Sequence, residues 1–214
     1  MKSIDLMIFD FDGTLVNSGN DIAASVKYVL GKLGVPEKDT GVILSFIGDG
    51  VQKLIEKSLG TDFRDRFDEA MELFSAHYSD HMLDTTYLYD SVIDTLNHFQ
   101  EKKKMIITNK RINYTLEMVR SFGLAKYFDE IIGADSTPYK KPDPRLLYPF
   151  LDKFHTRAGK TIVVGDGASD ILLAKNSGAM SCALLKGLTY RDTLISLKPD
   201  FSCEDIAELK NMFR

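Results

Sequence analysis

Two aspartates, Asp10 and Asp12, follow the apolar run from Leu6 to Phe9 and lead into Gly13 and Thr14. On extended backbone, side chains at i and i+2 share a face. Two close carboxylates resist joint ionisation. Such a pair makes sense with a cation between the acids, or when one acid attacks while the other carries a proton. A calcium loop does not fit. Its glycine belongs at the sixth position, where this chain has Leu15.

Three further groups bear chemistry. Thr108-Asn109-Lys110 offers a hydroxyl that can hydrogen-bond a phosphate oxygen, with positive charge beside it, although threonine at a strand end is more often a turn former. In Lys140-Lys141-Pro142-Asp143-Pro144, Pro142 restricts Lys141 to extended backbone and Pro144 can open a helix. The result is a stiff loop presenting one lysine, set against the blander reading of a solvated charge pair. Gly165-Asp166-Gly167-Ala168-Ser169-Asp170 brings two more acids. A dinucleotide fingerprint would need a third glycine where Asp170 stands, and a P-loop ending at Gly159-Lys160-Thr161 would need glycine at Phe154. His77 and His81 have the helical spacing of zinc ligands, but Tyr78 replaces the glutamate of a zincin, so a polar helix face is the better reading.

These residues need elements to hold them. The run before Asp10 reads as a buried strand. From Ser18 to about Leu83 the spacing is helical. One helix carries Ile22, Val26, Val29, Leu30 and Leu33 and stops at Gly34, with Asn17, Ser18 or Asn20 as its N-cap. A second carries Val51, Leu54, Ile55 and Leu59, and a third runs from about Phe63 to Met82, its aromatics Phe63, Phe67, Phe74 and Tyr78 forming core. No strand is expected in this block. From Asp90 onward helices alternate with strands, the mark of a parallel sheet. Helices are expected over 91–102, 113–122, 144–154, 170–177 and 204–212, and strands over 104–108, 130–133, 161–165 and 180–185, with a short element near 199–201.

Asp-x-Asp-Gly-Thr after a strand, Thr108 at the next tip, Lys-Pro-x-Pro at 141–144 and Gly-Asp-x-x-x-Asp at 165–170 occur in order. Together they resemble the motifs of the haloacid dehalogenase superfamily of phosphotransferases. The resemblance implies an α/β fold, a Rossmann-like doubly wound parallel sheet with an inserted α-helical cap. Residues 1–15 and 88–214 would form the core and 16–87 the cap. It assigns Asp10 as nucleophile and Asp12 as acid/base. Gly13, Thr14, Thr108, Asn109 and Lys141 would hold phosphate, and Mg²⁺ would sit among Asp10, Asp12 (through its carbonyl), Asp166 and Asp170. Gly167 departs from the Ser or Thr frequent in its place. Ile47-Gly48-Asp49-Gly50 resembles the cap loop of phosphoglycolate phosphatases and their relatives, whereas Asn17 and Asp90-Ser91 depart from their usual Asp and Pro-Gly.

The implied activity is Mg²⁺-dependent hydrolysis of a small phosphomonoester, phosphoglycolate-like or a sugar phosphate, with Lys53 or Lys110 meeting a substrate carboxylate. The alternatives are a phosphotransferase resembling beta-phosphoglucomutase and a non-catalytic binding module; a dehalogenase would not need Asp12. A net charge of −4 gives no sign of a nucleic-acid surface. No run approaches the ~18 apolar residues that span a bilayer, and no signal peptide is apparent. Cys182 and Cys203 do not make a disulfide framework. The expectation is a cytoplasmic protein, monomer or homodimer, whose partner is a small phosphorylated metabolite.

Overall fold

The first strand, β1 (Leu6–Phe9), is buried along its whole length. In the computed structural model, which describes residues 1–214, it lies at the centre of a parallel sheet. The six strands run in the order β5-β4-β1-β6-β7-β8, where β4 is Lys103–Ile107, β5 Glu130–Ile132, β6 Thr161–Gly165, β7 Met180–Leu184 and β8 Phe201–Cys203. The period of two along β1 sends Met7 and Phe9 into one apolar cluster and Leu6 and Ile8 into another on the opposite face. Both faces are therefore covered, as a parallel sheet requires.

The helical segment follows β1. Its helices are α1 (Gly19–Leu33), α2 (Thr40–Leu44), α3 (Val51–Leu59) and α4 (Phe67–His81). Gly34 ends α1 in the left-handed conformation and its amide donates to Gly31 and Leu30. Helices α5 (Val92–His98), α6 (Ile112–Ser121), α7 (Tyr148–Lys153), α8 (Ala168–Ser177), α9 (Arg191–Ser196) and α10 (Leu209–Met212) connect or flank the sheet strands. None is long and apolar enough to cross a membrane.

Several expectations need correction. Two residues on each side of the helical segment form an antiparallel ribbon, β2 (Val16–Asn17) with β3 (Tyr87–Leu88), too short to show periodicity in sequence. The short helix α2 was not expected. The helix expected over 91–102 ends at His98, and its closing carbonyls turn to a buried cation: Lys104 Nζ donates to the Phe99 carbonyl at 2.6 Å and the Lys102 carbonyl at 2.9 Å. The helices expected from Phe63, Pro144 and Glu204 begin as 3₁₀ turns before α4, α7 and α10.

At the start of α1, Asp21 is buried and accepts from the amides and hydroxyls of both Thr85 and Thr86. One carboxylate thus binds the outgoing chain to the returning chain beside the β2/β3 ribbon. Ser91 takes φ 65° just beyond, the left-handed conformation that a glycine adopts at low cost. At the far side of the sheet the buried Cys182 and Cys203 remain free thiols with their sulfurs 3.7 Å apart.

Candidate active site

Strand register brings the chemistry together. Phe9 pairs with Ile106 on one side and Val164 on the other, so Asp10, Thr108 and Asp166 emerge from neighbouring strand ends. This is the carboxyl edge where open parallel sheets bind ligands. Asp10, Asp166 and Asp170 are all buried, and a carboxylate oxygen from each lies within 4.8 Å of the others.

Lys141 supplies the counter-charge. Its buried Nζ is 2.8 Å from Asp10 Oδ1 and 2.6 Å from Asp170 Oδ1. Burial lowers its pKa, but the charges of Asp10 and Asp170 outweigh that and hold the ammonium above its ordinary range. One cation still faces three carboxylates. Burial, then the Asp10 charge, pushes the Asp166 carboxyl up to about 7, and the same two causes raise Asp170. Three buried carboxylates facing one ammonium, an all-oxygen set with excess negative charge, suit a hard divalent cation such as Mg²⁺.

The acids are held by backbone as much as by side chains. Thr14 Oγ1 donates to Asp166 Oδ1 at 2.9 Å and accepts from the Asp166 amide at 3.1 Å, while the Leu188 amide donates to Asp166 Oδ2 at 2.7 Å. Gly13 and Gly187 press against this carboxylate from two sides. A Cβ on either would stand 2.1 Å from an Asp166 atom, and Gly13 also has φ +81°. Asp170 accepts from the Gly167 amide at 3.0 Å, so the glycine at 167 keeps the donor that matters. The Lys141–Pro142 peptide is cis.

Asp12 does not join the carboxylate cluster. Ser18 Oγ donates to its Oδ1 at 2.5 Å, and Lys110 Nζ lies 3.1 and 3.2 Å from its two oxygens. Lys110 also donates to the Tyr78 hydroxyl at 2.6 Å. Asn109 donates to the Gly48 carbonyl at 2.9 Å and to that of Lys141 at 3.3 Å, fastening the loop before α3 above the strand ends. Asp10, Asp12 and Thr108 open onto a cavity of about 60 Å³ whose apolar wall includes Ile22, Val51 and Leu54.

The pattern that describes haloacid dehalogenase-like hydrolases matches residues 7–184. The chain belongs to this family. A phosphoglycolate phosphatase from Vibrio parahaemolyticus is 30% identical, the match covering 97% of this chain and 95% of that one. One from Mannheimia succiniciproducens is 32% identical over 95% and 96%. The crystal structure of a predicted phosphoglycolate phosphatase from Haemophilus somnus superposes with a TM-score of 0.91 at 28% identity, covering 98% of this chain and 97% of that one.

In this haloacid dehalogenase-like hydrolase, sequence reasoning named most of the residues the fold gathers. Lys53, in contrast, is exposed, pairs with Glu56 at 2.9 Å and does not line the cavity, while Lys110 does. Arg111, Tyr78, Gly187 and Leu188 were not expected here. Arg111 follows directly on Thr-Asn-Lys, and its position beside that motif was the available signal; nothing in the loop after β7 pointed to Gly187. The His77 ring meets the Ser25 hydroxyl at 3.0 Å and stacks between Tyr28 and His81, the packing of a structural histidine.

Proposed function

We propose that this hydrolase is a phosphomonoesterase of the cytoplasm that cleaves a small substrate, of the size of phosphoglycolate, through a phosphoaspartyl intermediate at Asp10. The observation that carries this reading is the buried cluster of Asp10, Asp166 and Asp170 around Lys141, with Asp12 two residues beyond the nucleophile. The cluster would hold Mg²⁺ through Asp10, Asp166 and the Asp12 carbonyl, with Asp170 orienting the set. When bound, the cation neutralises charge on the transferring phosphoryl group.

Asp10 attacks phosphorus as the bond to the leaving oxygen breaks, and Asp12 gives that oxygen its proton. Asp12 then takes a proton from water as the water attacks phosphorus, the Asp10–phosphorus bond breaks, and inorganic phosphate leaves. Lys141, Thr108 and the amides near Gly13 and Thr14 position the phosphoryl oxygens. Residues 16–87, the cap in this reading, close the site through the loop that Asn109 holds at Gly48 and select the leaving group.

At about 60 Å³ the cavity favours a compact leaving group. Lys110 and Arg111 on its wall favour an acidic one. The test is phosphate release from a panel of phosphomonoesters with and without Mg²⁺. Release that needs Mg²⁺ and disappears in Asp10→Asn is expected. No phosphate release, but isomerisation of a sugar phosphate once a sugar bisphosphate primer is added, would move the assignment to a mutase, and neither activity to a binding module.

A further inference from the structure

Two groups reach Asp12 from different directions. Ser18, ahead of α1, touches one oxygen, and Lys110 bridges both. Lys110 is itself nearly inaccessible, and its ammonium lies 4.7 Å from the Tyr78 ring centroid, at the hydroxyl end to which it donates. Tyr78 belongs to α4. It is almost fully buried, stacked on Phe74 with ring centroids 5.2 Å apart and edge-on to Tyr114, also at 5.2 Å. Such packing leaves the phenol little freedom to follow a moving lysine. The lysine must instead follow the phenol.

We propose that Tyr78 is a positioning residue for proton transfer: its hydroxyl fixes Lys110, and Lys110 aims the carboxylate of Asp12 at the leaving-group oxygen. The inference rests on Asp12 being the acid of the proposed reaction. It adds that a residue of the helical segment, in contact with neither phosphate nor metal, sets the geometry of the acid. The acid of the strand-end loop is in register only while α4 is seated. The ammonium fixes the place of the carboxylate, the Ser18 hydroxyl on Oδ1 gives it an orientation, and proton transfer is sensitive to both.

The role has a signature that simple destabilisation lacks. Ethyl phosphate and acetyl phosphate both carry a two-carbon leaving group, but ethoxide needs a proton to depart and acetate does not. A defect in aiming the acid slows the first and spares the second. Tyr78→Phe keeps the ring and its stacking and removes only the hydroxyl. In single-turnover experiments with Mg²⁺, the variant is expected to release ethanol about ten- to a hundredfold more slowly than the parent enzyme, and acetate at nearly the parent rate. Lys110→Met should show the same selectivity, and the double variant should be no slower than Lys110→Met alone. Equal losses on both substrates, or no loss on ethyl phosphate, would overturn the proposal. Asp12→Asn separates the two levels of the argument. If it slows ethanol but not acetate release while Tyr78→Phe shows no such selectivity, the positioning role falls and the acid stands. If Asp12→Asn shows no selectivity either, the assignment of the acid falls with it.

Discussion

Lys141 Nζ stands 2.6 Å from Asp170 Oδ1, and both side chains are shut away from solvent. With Asp10 at 2.8 Å on its other side, the lysine is the only basic group paired with the three-acid cluster. Lys141→Met should therefore cost about 3–5 kcal/mol of stability without metal, the range for stranding buried charge. Urea unfolding in a chelator measures that loss, and adding Mg²⁺ should recover part of it. Activity should not return, because the lysine also meets the phosphoryl group in the proposed reaction.

The cluster also sets a pH dependence. Asp166 ionises at about 7 in the folded protein against about 4 in an unfolded chain. Between those values the folded state keeps a proton that the unfolded state has lost. This contribution is complete below the lower value and disappears as pH rises through the upper one, so the metal-free protein loses stability over that window. A cation competes with that proton. Mg²⁺ should raise the melting temperature more near pH 8 than near pH 5, and equal shifts would contradict the assignment of the acids as metal ligands.

Asp21 carries the opposite sign. Burial works to raise its pKa, but hydrogen bonds from Thr85 and Thr86 outweigh burial and hold it below the usual carboxylate range. Its contribution is present above the unfolded value and lost as pH falls through the folded one. Asp21→Asn would turn an amide donor toward these donors. A cost of about 1–3 kcal/mol is expected, with a flatter acid limb in melting temperature against pH.

Gly13→Ala would place a methyl group 2.1 Å from Asp166 Oδ2, on backbone at φ +81°. The carboxylate must swing away or the turn must open. Mg²⁺ affinity by calorimetry should fall about ten- to a hundredfold, the range for disturbing what orients a ligand. A melt of the metal-free variant would show whether the fold survives.

Asp10, Thr108, Lys141, Asp166 and Asp170 could be read from sequence because each lies just past a strand end, in the first turn of the helix that follows one, or in a proline-stiffened loop, where local chain chemistry decides position. Parallel register then does the assembling. Tyr78 could not be read the same way. Its aromatic spacing announced burial, which it has, but whether its hydroxyl reaches Lys110 depends on how α4 seats against a loop far along the chain. The two-residue strands β2 and β3 were invisible for another reason: their pairing joins segments some 70 residues apart that Asp21 also ties together. Ser91 has φ 65°, a backbone conformation that its residue type does not announce.

The two thiols at the junction of β7 and β8 have a practical consequence. The hydrogen bond with Cys203, then burial, raises the Cys182 thiol well above its ordinary value, and only the thiolate reacts readily with labelling reagents. Intact protein should resist such reagents, and each molecule should become reactive when this side of the sheet parts. The rate of labelling would then act as a built-in clock for local opening of the sheet, read at the two native thiols.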